Sequence, residues 1–281
     1  MRLLAIGCGY SARALVPRLL ARGWEVRGTT RSADKAEALA SAGIPPLVWP
    51  GEDDLGPHIN WATHVVHSVS PDDGDLVLET YGGALAAADL EWFAYLSTTG
   101  VYGDYGGGWV DEDTPLNPST ARGAARVRAE AGWRALQSHG LRLHIFRLAG
   151  IYGPGRGPFA KVRAGKARRI VKQGQVFSRI HVEDIAAVLE ASIDHPRPGA
   201  IYNVCDDDPA PPQDVIAHAA DLLGVPRPPE IPFEAADLSP MARSFYAESK
   251  RVRNDRIKDE LGVELAYPTY RDGLRALLDE D

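Results

Sequence analysis

The sequence predicts an α/β protein, a doubly wound parallel sheet carrying a small C-terminal lobe. Short unbroken apolar runs recur along the chain, and strands buried on both faces read this way. Stretches of helical spacing alternate with them, so successive strands are joined by helical crossovers. The first run also passes into a glycine-rich turn and then a helical stretch, which opens a βαβ unit.

That first unit is the most informative part of the chain. Leu3-Leu4-Ala5-Ile6 reads as a buried strand and ends in Gly7-Cys8-Gly9-Tyr10-Ser11-Ala12, a G-x-G-x-x-A turn. Residues 14–21 then place Leu15, Leu19 and Leu20 on one helix face, Gly23 closes the helix, and residues 25–31 form a second strand. Strand, glycine turn, helix and strand within about 30 residues make the Rossmann-type unit that binds a dinucleotide. A pyrophosphate must approach bare backbone at Gly7 and Gly9. The amides that open the helix at Tyr10, Ser11 and Ala12 face its oxygens, and the helix dipole favours the charge. An ordinary tight turn is the plainer reading.

The second strand ends in Thr29-Thr30-Arg31-Ser32, with no carboxylate before Asp34. An acidic residue there would take the ribose 2′-hydroxyl of NAD, whereas an arginine suits the 2′-phosphate of NADP. Arg31 supplies a planar fork, Thr30 and Ser32 supply hydroxyls, and Arg13 can reach the same face. NADP(H) is therefore expected, with NAD(H) as the alternative; a solvated Arg31 is the plain one.

Further strands are expected at 46–49, 64–69, 92–97, 143–148 and 201–204, and helices at 76–90, 120–139 and 181–193. After Asp206 the texture changes. Asp208-Pro209-Ala210-Pro211-Pro212 starts a helix over 213–223, residues 227–232 form an extended link, and helices follow over 249–261 and 270–278. The expected division is a dinucleotide-binding domain over 1–206, with 152–181 contributing to the substrate lobe, and the lobe itself over 207–281.

Composition narrows the function class. The 281 residues are 44% hydrophobic and 25% charged, as in ordinary globular proteins. A net charge of −7 argues against nucleic acid as a partner. Two cysteines make no disulfide framework, and eight scattered histidines show no metal spacing. No run approaches about 18 apolar residues and no leader pattern stands at the N-terminus, so no membrane partner and a cytoplasmic location are expected.

Ligands of such a sheet bind outside the carboxyl ends of its strands. That gathers residues 7–12, Arg31, Ser68, Val69, Ser70, Ser97-Thr98-Thr99 and Ala149-Gly150-Ile151 around one crevice. Three segments in this region are specific: Leu96-Ser97-Thr98-Thr99-Gly100-Val101-Tyr102-Gly103, Phe146-Arg147-Leu148-Ala149-Gly150-Ile151-Tyr152-Gly153-Pro154-Gly155 and Arg179-Ile180-His181-Val182-Glu183-Asp184. In this order the chain resembles the extended short-chain dehydrogenase/reductase superfamily, of the NAD-dependent epimerase/dehydratase type, over nearly its whole length. The resemblance implies a nicotinamide dinucleotide, a variable substrate lobe, a catalytic Ser/Thr after the fifth strand and a Tyr-x-x-x-Lys pair on the next helix. Thr98 matches the Ser/Thr. Pairing through helices beside the sheet, as a homodimer, is a further implication.

The Tyr-x-x-x-Lys pair is missing. With Glu130 aligned to the glutamate that commonly follows the lysine, Arg122 stands at the tyrosine position and Arg126 at the lysine position. Residues 116–130 contain neither tyrosine nor lysine. Arg126 can still donate to a ribose, but Arg122 cannot serve as an acid or base. One expectation is an oxidoreductase with a displaced acid, Thr98 polarising a carbonyl and Tyr102 or Tyr152 supplying the proton. Tyr102 has the plainer alternative of packing under the 103–108 loop. The other expectations are a non-catalytic dinucleotide sensor and a cofactor-retaining sugar-nucleotide epimerase or dehydratase. Residues 104–109 suggest a glycine-rich lid or a plain surface loop. The resemblance implies that the region of Arg156, Lys161, Arg179 and His181 contacts substrate, so an anionic or nucleotide-linked small molecule is expected, although Arg179 is as readily an ion-pair partner of Asp184. Residues 249–254 can cover the same cleft or form a solvated helix face.

Overall fold

The computed structural model describes residues 1–72 and 74–280. In chain order its first half runs β1 (Arg2–Ile6), α1 (Tyr10–Ala21), β2 (Glu25–Thr30), α2 (Ala33–Ser41), β3 (Pro46–Val48), α3 (Gly56–Trp61), β4 (His64–His67), α4 (Leu76–Ala87) and β5 (Trp92–Thr98). Then follow β6 (Trp109–Val110), α5 (Ala121–Ala135), β7 (Leu143–Leu148), β8 (Gly150–Tyr152), α6 (Phe159–Arg163), β9 (Arg169–Val171), β10 (Arg179–His181), α7 (Val182–Asp194) and β11 (Ile201–Val204). The remaining elements are α8 (Pro212–Leu222), β12 (Glu230–Pro232), α9 (Pro240–Phe245), β13 (Arg251–Val252), α10 (Asp255–Asp259) and α11 (Tyr270–Glu280).

Seven strands form the central sheet in the order β3-β2-β1-β4-β5-β7-β11, every pairing parallel. The chain winds one way from β1 to β3 and the other way from β4 onward. The crevice of this topology therefore opens between the ends of β1 and β4. Alternate residues of β1 feed two cores: Leu3 and Ala5 meet α1 and α7 through Leu15, Leu19, Ile185 and Leu189. Leu4 and Ile6 meet α3, α4 and α5 through Ile59, Leu85 and Trp133. This two-sided burial is why the strands lack polar alternation.

A third core, with Phe159, Val162, Val215, Ala219, Leu274 and Leu277, joins α6, α8 and α11 around Tyr152. Three parallel two-stranded pairs, β8 with β10, β9 with β12 and β6 with β13, connect these later segments to one another and to the loop after β5.

Several expectations are corrected. Residues 249–261 are not one helix. Ser249 accepts from the Tyr105 and Gly107 amides, and Arg251 and Arg253 donate to the Gly108 and Val110 carbonyls, so the segment extends as β13 before the short α10. Those bonds also tie down the 104–109 loop expected as a mobile lid. The last three residues of the extended 227–232 link pair with β9 as β12. Arg179 does not bridge to Asp184: the Asp184 carboxylate accepts from the Ala266 and Tyr267 amides (2.8 and 3.1 Å), while Arg179 donates to the Phe177 and Ala210 carbonyls.

Candidate functional site

The glycine turn between β1 and α1 is shaped by its neighbours. Gly7 has φ +82°, and its amide donates to Thr29 Oγ1 at 2.7 Å. A Cβ on Gly7 would lie 2.9 Å from Val69 Cγ2 and 3.1 Å from Ser68 Oγ. Ser68 Oγ donates to the Gly7 carbonyl, fastening the end of β4 to the turn. Gly9 is exposed, and a Cβ there would meet nothing closer than 3.8 Å. It is the N-cap of α1, and no side chain caps that helix. The amides of a helix's first turn have no acceptor within the helix itself, and here that turn starts beside an open glycine. Cys8 turns inward, its thiol pushed up by burial to about 11, and lies against Gly28, where a side chain would strike it. Tyr10 reaches across to the loop after β8, donating to the Pro154 carbonyl at 2.9 Å with the Arg156 guanidinium 4.5 Å above its ring.

At the end of β2, Arg31 is exposed and Ser32 caps α2, its hydroxyl accepting from the Lys35 amide at 3.4 Å. No carboxylate stands at this strand end; the first is Asp34, in the first turn of α2.

Beyond the ends of β4, β5 and β7 lies a cavity of about 630 Å³. Ser70, Pro71 and Asp72 line it from β4, Thr98, Thr99 and Gly100 from β5, and Ala149, Gly150, Ile151 and Tyr152 from β7 and β8. Arg122 and Arg126 enter from α5, Arg179 from β10, and Glu248 and Lys250 from the segment before β13. Thr98 Oγ1 accepts from the Gly100 amide at 3.1 Å and so caps the tight turn that follows β5. Arg126 donates through Nη1 to the Leu96 carbonyl (2.7 Å) and to Tyr95 Oη (3.1 Å). Lys250 Nζ is buried and donates to the Gly103 carbonyl (2.6 Å) and Glu248 Oε2 (2.8 Å).

Two residues expected in the crevice lie beneath it. Tyr102 is fully buried and donates to Asn203 Oδ1 at 2.7 Å while accepting from Arg147 Nη1 at 2.9 Å; burial pushes its hydroxyl up to about 12. It lines no part of the cavity and is a packing residue. Ser97 Oγ donates to Glu130 Oε1 at 2.5 Å, and Glu130 also holds Arg147 at 2.8 Å. Both belong to a buried polar network that fixes the ends of β5 and β7. Tyr152 does border the cavity, but its hydroxyl packs towards the Thr269 carbonyl (3.5 Å) and burial raises its pKa. Sequence reasoning missed Thr29 and Glu248, and for Lys250 it left a place over the cleft and a solvated helix face both open. Thr29 carries no motif, and Lys250 sits in a charge run that imitates a solvated helix.

Residues 83–205 match the model of the NAD dependent epimerase/dehydratase family. The Escherichia coli (strain K12) protein YeeZ is 31% identical over 280 residues, covering 94% of this chain and 95% of that one. The GDP-6-deoxy-D-mannose reductase of Pseudomonas aeruginosa is 27% identical over 266 residues, covering 83% and 82%. The structure of a conserved, functionally unknown protein from Silicibacter pomeroyi superposes with a TM-score of 0.93 at 57% identity, covering 99% of this chain and 98% of that one. The chain belongs to the NAD dependent epimerase/dehydratase family. It is a member whose residues 116–130 contain neither tyrosine nor lysine.

Proposed function

We propose that this protein binds NADP(H) across the glycine turn and reduces a carbonyl group on a small anionic molecule held in the 630 Å³ cavity. The observation that carries the reading is the open, uncapped start of α1 beside a second strand that is followed by Arg31, with no carboxylate between the strand end and Asp34. A pyrophosphate fits where Gly9 leaves space and α1 starts without a side-chain cap. Arg31 fits the extra phosphate that distinguishes NADP from NAD.

When bound, the dinucleotide supplies a hydride. This chain's residues do the rest. Thr98 and the turn it caps stand at the cavity wall where a carbonyl oxygen would be oriented. The oxygen of the reduced carbonyl needs a proton. The lining arginines cannot release one, and the Tyr152 hydroxyl is packed away from the cavity. Lys250 carries three protons on Nζ, of which two are directed at Gly103 and Glu248. It is the cavity group that holds the transferable proton. Glu248 also accepts from Ser119 Oγ at 2.7 Å, which joins the Lys250 pair to an exposed hydroxyl.

Calorimetry with NADPH and NADH, followed by loss of reduced-nicotinamide absorbance against a panel of anionic aldehydes and ketones, tests this reading. Arg31→Ala is expected to weaken NADPH roughly tenfold or more, the worth of a charge-assisted hydrogen bond, and to leave NADH unchanged. Equal loss for both coenzymes removes the NADP assignment. Tight NADPH binding with no turnover on any panel member replaces the reductase with a dinucleotide sensor.

A further inference from the structure

Four cationic side chains line the cavity, and three of them are already engaged. Lys250 faces Glu248, Arg126 is held on the Leu96 carbonyl and Tyr95, and Arg179 is held on the Phe177 and Ala210 carbonyls. The fourth, Arg122, is exposed to the cavity and has no partner among the described residues. It lies in the first turn of α5, four residues before Arg126, so the two share a helix face. It also stands at the position where the superfamily resemblance expects the tyrosine that touches the substrate oxygen.

We infer that Arg122 is a carboxylate clamp, and that the substrate bears a carboxylate next to the carbonyl that reacts: a 2-oxo acid, or the 2-hydroxy acid in the reverse direction. This rests on the reductase reading for the reaction, but not for the binding. The guanidinium offers a planar pair of parallel donors that matches the two oxygens of a carboxylate. Among the four, Lys250 has its charge answered by Glu248, and Arg126 and Arg179 each have one nitrogen fixed on neutral oxygens, so Arg122 presents the whole fork to a ligand. Thr98, Thr99 and Gly100 line the same cavity. A carboxylate on Arg122 therefore leaves the adjacent carbonyl near the turn after β5.

The test is calorimetric, on the full chain, with three probes: oxamate, which imitates a 2-oxo acid, its neutral counterpart oxamide, and inorganic phosphate. Each is titrated into wild type, Arg122→Gln and Arg122→Lys, with and without NADPH. Oxamate is expected to bind wild type and to lose roughly tenfold or more in affinity in Arg122→Gln. Arg122→Lys, which keeps the charge and loses the fork, is expected to fall between them. Oxamide and phosphate are expected to show no dependence on residue 122. Because Arg122 is exposed, melting curves of the variants should overlay that of wild type. Absence of oxamate binding, equal oxamate affinity in wild type and Arg122→Gln, or a preference for phosphate each overturns the clamp. Oxamate binding without any NADPH binding leaves the clamp standing and removes the reductase reading. NADPH binding with an oxamate affinity indifferent to residue 122 does the reverse.

Discussion

A methyl group on Gly7 would have to sit in the left-handed region at φ +82° while pressing on Val69 and Ser68. Those two residues directly follow β4, so the damage would spread from the turn to the neighbouring strand. Gly7→Ala is expected to cost about 1–3 kcal/mol in denaturant unfolding and to abolish measurable dinucleotide binding. Gly9 lacks both constraints, so its value lies in the space it leaves for a ligand. Lys250 works at the same scale. Its ammonium is buried against the Gly103 carbonyl, immediately after the turn that Thr98 caps. Lys250→Met is expected to lower turnover by about 10²–10⁴, the usual worth of a general acid, with NADPH affinity unchanged. A matched fall in turnover and NADPH affinity would instead assign Lys250 to structure alone.

The elements differ in how plainly the sequence announces them. The seven sheet strands were legible because burial on both faces leaves an apolar run, as in Phe93-Ala94-Tyr95-Leu96. The glycine turn, the place of Thr98 at the end of β5 and the absence of the Tyr–Lys pair were legible because motif spacing fixes where each is sought. The short pairs β6–β13 and β9–β12 were not: a strand of two or three residues is defined by what it lies beside, and Ser249-Lys250-Arg251 carries no periodicity. Tyr102 stayed open between catalysis and packing because residues after a strand end can turn either way, and here Asn203 and Arg147 draw its hydroxyl down. That network makes its own prediction. Arg147 is 2% exposed, and its charge is answered by Glu130. Glu130→Gln leaves a buried guanidinium without its carboxylate, and breaking a buried pair costs about 3–5 kcal/mol. The expected outcome is a fall in melting temperature of several degrees, with looser geometry at Ser97 and Thr98. An unchanged melting temperature would mean that the pair contributes nothing net.

At the scale of the whole molecule, the sheet and the later helical segments meet around one buried ionisable group. Asp206 follows β11 and is 1% exposed, its Oδ2 has no hydrogen-bond partner, and its amide donates to the Arg179 carbonyl at 2.6 Å. Burial pushes its carboxyl up to about 8, against the attraction of Arg179. In the unfolded chain the same carboxyl has its ordinary value of 3.8. Between those two values the folded protein binds the proton and the unfolded chain does not. The contribution of this group to stability is therefore complete below about pH 4, declines as pH rises, and is lost above about 8. Three buried histidines, His64, His144 and His181, are each held down to about 4 by burial and bend the profile the other way below their ordinary value of 6.5. The measurement is thus a difference between two proteins rather than one curve. Asp206→Asn keeps the volume and leaves the bonds from Arg179 to the Phe177 and Ala210 carbonyls in place. Its melting temperature should approach that of wild type near pH 5 and exceed it increasingly towards pH 8. A gap that stays constant across that range would mean that Asp206 is ionised throughout and that the buried wall between sheet and lobe tolerates its charge.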